Sequence, residues 1–318
     1  MKMGSGIESD QVCDAYLAAC RLDVTAMKPG NVSEGSAGHG MTAEVFHRSA
    51  HVSADAISDP ELSLGARIYA AVSATRSAVG CNTNLGIVLL CAPLAQAALQ
   101  AYPGEDLHQA LQVVLRDATV DDAEQVFAAI RLANPGGLGA ADEHDVRSAA
   151  EVRLRKAMAA AADRDRIASQ YACGFADLFE DALPRVTAAR SAGGDERRAV
   201  TDLYLYLLSR FPDSHVQRKH GVDAAVALRD DSIGIYADWR ADPDADADER
   251  LQAFDRRLKC AGINPGTSAD LTVATLFLER LLHAAALNPG ESRRATLRQL
   301  RLASSGAPLI SMLLIGES

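Results

Sequence analysis

Four short runs of turn-forming and polar residues interrupt an alanine- and leucine-rich chain: Lys28-Pro29-Gly30-Asn31, Asn82-Thr83-Asn84-Leu85-Gly86, Asn134-Pro135-Gly136-Gly137-Leu138-Gly139 and Asn264-Pro265-Gly266-Thr267-Ser268-Ala269-Asp270. Proline and glycine break helices, whereas Asn, Thr and Ser cap them, so each run is expected to set exposed backbone N–H groups at the mouth of a helix. Helix N-termini gathered in one cleft would bind a polyanion. A further stretch, 212–221, packs Asp213, His215, Arg218, Lys219 and His220 together and is the strongest positive patch in an acidic chain.

Each run also has a plain structural reading. Lys28 to Asn31 stops an amphipathic helix and leads into a Gly/Ser loop ending Gly38-His39-Gly40-Met41. Such a loop either lets backbone approach a ligand, giving His39 the exposure a metal ligand or acid/base group needs, or is a flexible connector. A single cap explains one of Asn82, Thr83 and Asn84, but not three in a row before an apolar helix. The loop 134–139 runs into Asp142, Glu143 and Asp145, whose oxygens suit Mg²⁺ shared with substrate phosphates or form the acidic first turn of a helix. Thr267 to Asp270 reads as a capping box, which makes Asp270 structural as readily as a ligand. Arg218, Lys219 and His220 at a helix end would also satisfy the helix dipole.

Helices must position these runs, because β-branched alternation is scarce and aromatic residues are 5% of the chain. One helix is expected to open at Asp59-Pro60, carry Leu64, Ile68, Ala71, Val72, Thr75 and Val79 on one face, and end at Gly80. Another follows Thr267, aligns Leu271, Ala274, Leu278, Leu281 and Leu282, and stops at Asn288-Pro289-Gly290. Helical patterns also cover 8–26, 84–101, 105–116, 120–132, 146–164, 167–190, 196–210, 220–239, 247–260 and 291–304. The apolar stretch 85–95 reads as a buried helix kinked at Pro93. The predicted fold is all-α: a compact multi-helix orthogonal bundle with little or no strand, one domain over 1–318, with loops or a seam at 191–194 and 241–244. Asp242, Asp244, Asp246 and Asp248 lack the glycine and terminal glutamate of a calcium loop and read as a solvated helix leader.

Hydrophobic content of 48% with 23% charged residues describes an ordered globular chain. A net charge of −10 argues against a general grip on nucleic acid, though not against a local basic pocket. The six cysteines form no Cys-x-x-Cys pair and read as buried thiols in a reducing cytoplasm. No apolar stretch follows Lys2 as in a signal peptide, and the longest apolar run is too short to span a bilayer, so neither export nor a membrane is expected. Several apolar helices leave room for a homodimer.

Taken in order, these runs resemble the triphosphoribosyl-dephospho-coenzyme A synthase family, in a divergent branch like that of archaea and methylotrophic bacteria. The motifs are Lys28-Pro29-Gly30, His39 with Met41, Asn82-Thr83, Pro212-Asp213 through Gly221, and Pro265-Gly266-Thr267-Ser268-Ala269-Asp270-Leu271. Departures are as specific. Better-known members continue Asn-Thr with His-Lys-Gly where this chain has Asn84-Leu85-Gly86, and an aspartate expected soon after Lys-Pro-Gly is Ser33.

The resemblance implies an enzyme in which a ribose 2′-hydroxyl of dephospho-coenzyme A attacks C1 of the ATP ribose and expels adenine. It implies Mg²⁺, with ATP as a substrate. Lys28, Arg218 and Lys219 would meet phosphates, and Asn82 and Thr83 would orient the nucleotide, with Gly30, Asn31, Asn84, Gly136, Gly137 and Ser268 completing the binding surface. Asp142, Asp145, Asp213 and Asp270 would hold metal. His39 or His215 would move protons, with Asp213 beside them. Two other readings stand beside this one: a related transferase of methanopterin or methylofuran biosynthesis using another phosphorylated substrate, and a non-catalytic helical scaffold.

Overall fold

The computed structural model describes residues 7–191, 195–241 and 245–287. Among them every regular element is a helix and no sheet forms, only isolated bridges at Ser33 with Ser36 and Gly38 with Met41. The expected helix over 291–304, the stop at 288–290 and the Asp242 to Asp248 side chains lie outside the described residues.

The first half is a bundle built around one apolar helix. Helix α1 (Ser9–Thr25), α2 (Ala43–Ser58) and α3 (Leu64–Val79) pack in sequence, and α4 (Leu85–Gln100) runs beneath them. Almost every residue of α4 is buried, including Pro93, and it touches α3, α5 (Leu107–Asp117) and α14 (Gly266–Leu287). Helix α6 (Val120–Ala133) lies on α3, and α7 (Leu154–Ala159) and α8 (Arg166–Cys173) follow it.

A second, smaller core closes the other side. Tyr204, Leu205 and Leu208 of α10 (Glu196–Arg210), Val216 of α11 (Ser214–His220), Leu228 and Trp239 of α12 (Val222–Ala241), and Leu251, Phe254 and Leu258 of α13 (Ala245–Cys260) pack together. Helices α10 and α14 contribute to both cores.

Several boundaries differ from the sequence reading for identifiable reasons. Helix α2 has no obvious apolar face because Ser49, Ser53 and Ser58 occupy buried positions, each hydroxyl donating to the carbonyl four residues earlier. Asp59 closes α2 rather than opening α3, and its carboxylate accepts from Glu61 N. Ser63 caps α3 instead, while Gly80 ends it in the left-handed conformation. The expected helix over 146–164 shrinks to α7. The one over 167–190 breaks at Gly174 and Phe175, both with positive φ, and resumes as a π-helical turn, Asp177–Ala182, leading into α9 (Leu183–Ser191). The one over 220–239 begins at Val222 as α12, and a short helix absent from the sequence reading, α11, precedes it and ends at Gly221. Helix α14 starts at Gly266, so Thr267 lies inside it and the expected capping box does not form.

Two buried polar groups fasten the bundle. The Arg67 guanidinium, 1% exposed, donates to the carbonyls of Ile57, Ala56 and Leu62 and so satisfies the end of α2. Asp122 accepts from Gly65 N at 2.8 Å and from Thr119 N at 2.8 Å. Burial pulls its pKa up, but these bonds outweigh burial and leave it below the ordinary value.

Gly65 sits where α3 and α6 meet backbone to backbone, and a Cβ there would lie 2.5 Å from Asp122 Cα. Gly65→Ala is expected to lower unfolding stability by roughly 1–3 kcal/mol through overpacking, read as a lower urea midpoint with an unchanged slope.

Candidate active site

The cleft begins with a shared carboxylate. Asp213 caps α11, its Oδ1 accepting from His215 N at 3.0 Å and Val216 N at 3.1 Å. Its Oδ2 accepts from Ser268 N at 2.8 Å and Ser268 Oγ at 2.9 Å in the first turn of α14. One buried anion thus ties two helix N-termini together, each of which favours negative charge. Thr267 adds a second tie, its Oγ1 accepting from His215 N and bonding Ser214 Oγ at 2.9 Å.

The Lys28 to Asn31 turn docks on the same region. Gly30 N donates to Asp255 Oδ1 at 2.8 Å, Tyr204 donates to the Pro29 carbonyl at 2.7 Å, and Asn31 Nδ2 donates to Asn264 Oδ1 at 2.9 Å. Gly30 has φ +82°, and a Cβ would meet Pro265 Cδ at 2.8 Å, so this close approach requires glycine. His39, also with positive φ, bonds the Gly30 carbonyl through Nε2 at 2.8 Å.

These elements enclose a cavity of about 520 Å³. Asn31 and His39 line it, with Asn82 and Thr83 at the head of α4, Gly136 and Gly137 of the 134–139 loop, and His215, Arg218 and Lys219 of α11. Asp270 of α14 and Asp145 also reach it. Asn82, rather than Asn84, receives the Leu85 N–H at 3.2 Å, and Thr83 donates to Ser49 Oγ. The glycine loop lies on α11, where a Cβ at Gly137 would collide with the Arg218 carbonyl. Phe127, Ile130 and Met158 give the cavity an apolar wall.

Other expected site residues have structural positions. Lys28 is fully buried and off the cavity wall, its ammonium bound to Asp23 and to Asn31 Oδ1, so it does not reach a phosphate. Asn84 is buried against Ser53, Gly30 and Ser268 lie behind the wall, and Asp142 is exposed outside it.

The metal assignment is corrected as well. Among the described residues no group of three or more His, Cys, Asp or Glu side chains converges as a metal site. Asp213 spends its acceptors on helix N–H groups and Ser268, so neither metal binding nor proton transfer is open to it. Asp145 is held well below the carboxylate range by Arg147 and by the Ala141 and Arg147 N–H groups. Asp270 belongs to no such group. These residues do not fit a protein-held Mg²⁺.

Burial, with Lys219 and Arg218 nearby, pushes the His215 pKa down to about 3. The ring is therefore neutral at physiological pH and is no proton donor there. Arg218 pairs with Asp165 at 2.6 Å, and Asp165 in turn caps α8 through Ile167 N and Ala168 N.

Asp23 is the functional candidate that pattern reading missed. It lines the cavity, is 4% exposed, and its Oδ1 has no hydrogen-bond partner. Burial raises its pKa, and Lys28 opposes that. A signal existed: Asp23 lies near the C-terminal end of α1, where the helix dipole disfavours an anion.

Comparison with known proteins adds the identity. The model of the CitG family, ATP:dephospho-CoA triphosphoribosyl transferase, matches residues 9–289. The chain belongs to this family. Relatives assigned as 2-(5''-triphosphoribosyl)-3'-dephosphocoenzyme-A synthases include one from Pseudomonas paraeruginosa, 27% identical over 66% of this chain and 64% of its own. Another, from Pseudomonas aeruginosa, is 30% identical over 65% of this chain and 62% of its own. The chain therefore spans slightly less than two thirds of the length of these relatives. A crystal structure of an Archaeoglobus fulgidus protein assigned as a triphosphoribosyl-dephospho-coA synthase superposes with a TM-score of 0.58 at 26% identity, covering 73% of this chain and 96% of that one. Among its described residues this chain forms helices and no sheet, and parts of its motifs line one cavity.

Two outcomes test the site's electrostatics. Lys28→Met leaves Asp23 buried without its cation and should cost about 3–5 kcal/mol, while Lys28→Met with Asp23→Asn should recover much of it in a denaturation cycle. His215 takes a proton near pH 6.5 when unfolded and near pH 3 when folded, so stability falls as pH drops below about 6.5. Wild type should lose roughly 2 kcal/mol more than His215→Gln between pH 7.5 and pH 5 in urea titrations.

Proposed function

We propose that the protein transfers the triphosphoribosyl group of ATP to the 2′-hydroxyl of dephospho-coenzyme A and releases adenine. The observation that carries this reading is the distribution of charge in one cavity: Arg218 and Lys219 on α11, the head of α4 nearby, carboxyl groups on α1 and α14, and an apolar wall. The cations suit the triphosphate, and the apolar wall suits a purine or the pantetheine arm. A volume of about 520 Å³ falls within the range of small-molecule sites.

In this reading the cations and the α4 N–H groups bind the triphosphate and hold the ribose in one orientation, so that the acceptor hydroxyl meets C1. Asn31, Asn82 and Thr83 supply neutral hydrogen bonds to sugar and base. Magnesium brought with the nucleotide would neutralise part of the triphosphate charge, and no side chain of the cavity is assigned to hold it. The six cysteines are free, which suits a reducing cytoplasm, although Cys20 and Cys91 alone are buried as expected and Cys173 and Cys260 are exposed. Among the described residues no helix is long and apolar enough to cross a membrane.

A related transferase using another phosphorylated acceptor is the second reading, favoured by Leu85, an apolar residue on the cavity wall where the better-known pattern has a cation. Adenine release from magnesium ATP is the common test. Release that requires dephospho-coenzyme A supports the first reading, and release only with a one-carbon cofactor precursor supports the second. No release with either overturns the transferase reading. Arg218→Ala is expected to weaken ATP binding by calorimetry by about 1.5–3 kcal/mol, the loss of a charge-assisted contact.

A further inference from the structure

Two carboxyl groups in the cleft are unused by phosphate and base recognition. Asp23 presents one oxygen to Lys28, while the other is buried and unpaired in a residue that lines the cavity. A buried acceptor left open in this way is costly unless a ligand completes it. Asp270 rises from α14 beside the head of α4, so close that a Cβ at Gly86 would collide with its Oδ2. Among the described residues no hydrogen bond reaches the Asp270 carboxyl, whose surroundings act on it through burial and charge alone.

The surroundings separate the two groups. Burial raises the Asp23 pKa, which suits a proton acceptor, while the fixed ammonium of Lys28 against it pulls the other way and favours its charged form. Asp270 is held well above the ordinary carboxylate range, first by burial and then by the charges of Asp213 and Asp23, against the weaker pull of Arg218 and Lys28. One carboxyl is thus set to accept a proton and its neighbour to give one.

We propose that Asp23 and Asp270 are the general base and the general acid of the transfer, an assignment that rests on the triphosphoribosyl-transfer reading. Asp23 takes the proton from the attacking ribose hydroxyl as the oxygen bonds to C1 of the nucleotide. The bond from C1 to the purine nitrogen breaks with its electron pair on the purine, which takes the proton of Asp270. One proton has then left the acceptor and one has reached adenine. Passage of the new Asp23 proton to Asp270 through solvent restores the starting state, with no co-reactant.

The test uses Asp23→Asn and Asp270→Asn with two chemical substitutes. Both variants should bind ATP within about threefold of wild type and release adenine about 10²–10⁴-fold more slowly. Azide offered in place of the acceptor needs no deprotonation and should restore base release in Asp23→Asn alone. A nucleoside triphosphate with an N7-methylated purine, which departs neutral without a proton, should restore it in Asp270→Asn alone. Should Asp23→Asn fail to fold beside the unpaired Lys28, Asp23→Asn with Lys28→Met removes the whole pair and is read with azide instead. Variants within tenfold of an active wild type overturn the assignment. Loss without either rescue marks a structural role and also overturns it. A wild type that releases no adenine overturns the transfer reading itself, and this assignment with it.

Discussion

The geometry of the cleft depends on the Asp213 carboxylate. It receives N–H groups from α11 and α14 at once, so neither helix can shift without leaving a buried anion short of donors. Burial raises the pKa of this carboxyl, and the bonds from Ser268 and Val216 work against that rise. The consequences spread outward: α11 carries His215, Arg218 and Lys219 to the cavity, and α14 carries Asp270. A residue with catalytic chemistry available to it is here a joint between two helices.

Behind the opposite wall, the buried Lys28 plays a comparable part. An ammonium with no exposed surface is tolerated because Asp23 and Asn31 surround it, and Asn31 links onward to Asn264 ahead of α14. Lys28 therefore acts on the cleft through the orientation and charge of Asp23. Its Pro-Gly continuation matters too, because Gly30 passes close to Pro265 where a side chain would collide. The Pro29-Gly30 and Pro265-Gly266 runs, far apart in sequence, are packed against each other.

Glycine has a similar effect at the head of α4. The resemblance to better-known relatives drew attention to Leu85 as a missing cation, but the adjacent Gly86 is what lets Asp270 lie against the helix. The same holds in the 134–139 loop, where Gly137 admits the Arg218 carbonyl. In both places an absent side chain permits a close approach beside the cavity.

The sequence by itself determined the all-helical class, most helix bodies, the family motifs and the set of runs that meet at one cleft, because period and punctuation are local properties of a chain. It also named Asn82, His215, Arg218 and Asp270 as cavity residues. What it left open was the job of each polar group. Lys28 and Asp213 read as ligands, yet three-dimensional packing spends them on Asp23 and on two helix ends, and local spacing carries no record of those partners. Serines disguised α2, and left-handed residues at Gly174 and Phe175 broke an otherwise helical pattern. Only the tertiary structure decided that Asp23 keeps an unpaired oxygen beside the cavity, because the charge and hydrogen bonds around a buried carboxylate come from helices distant in sequence.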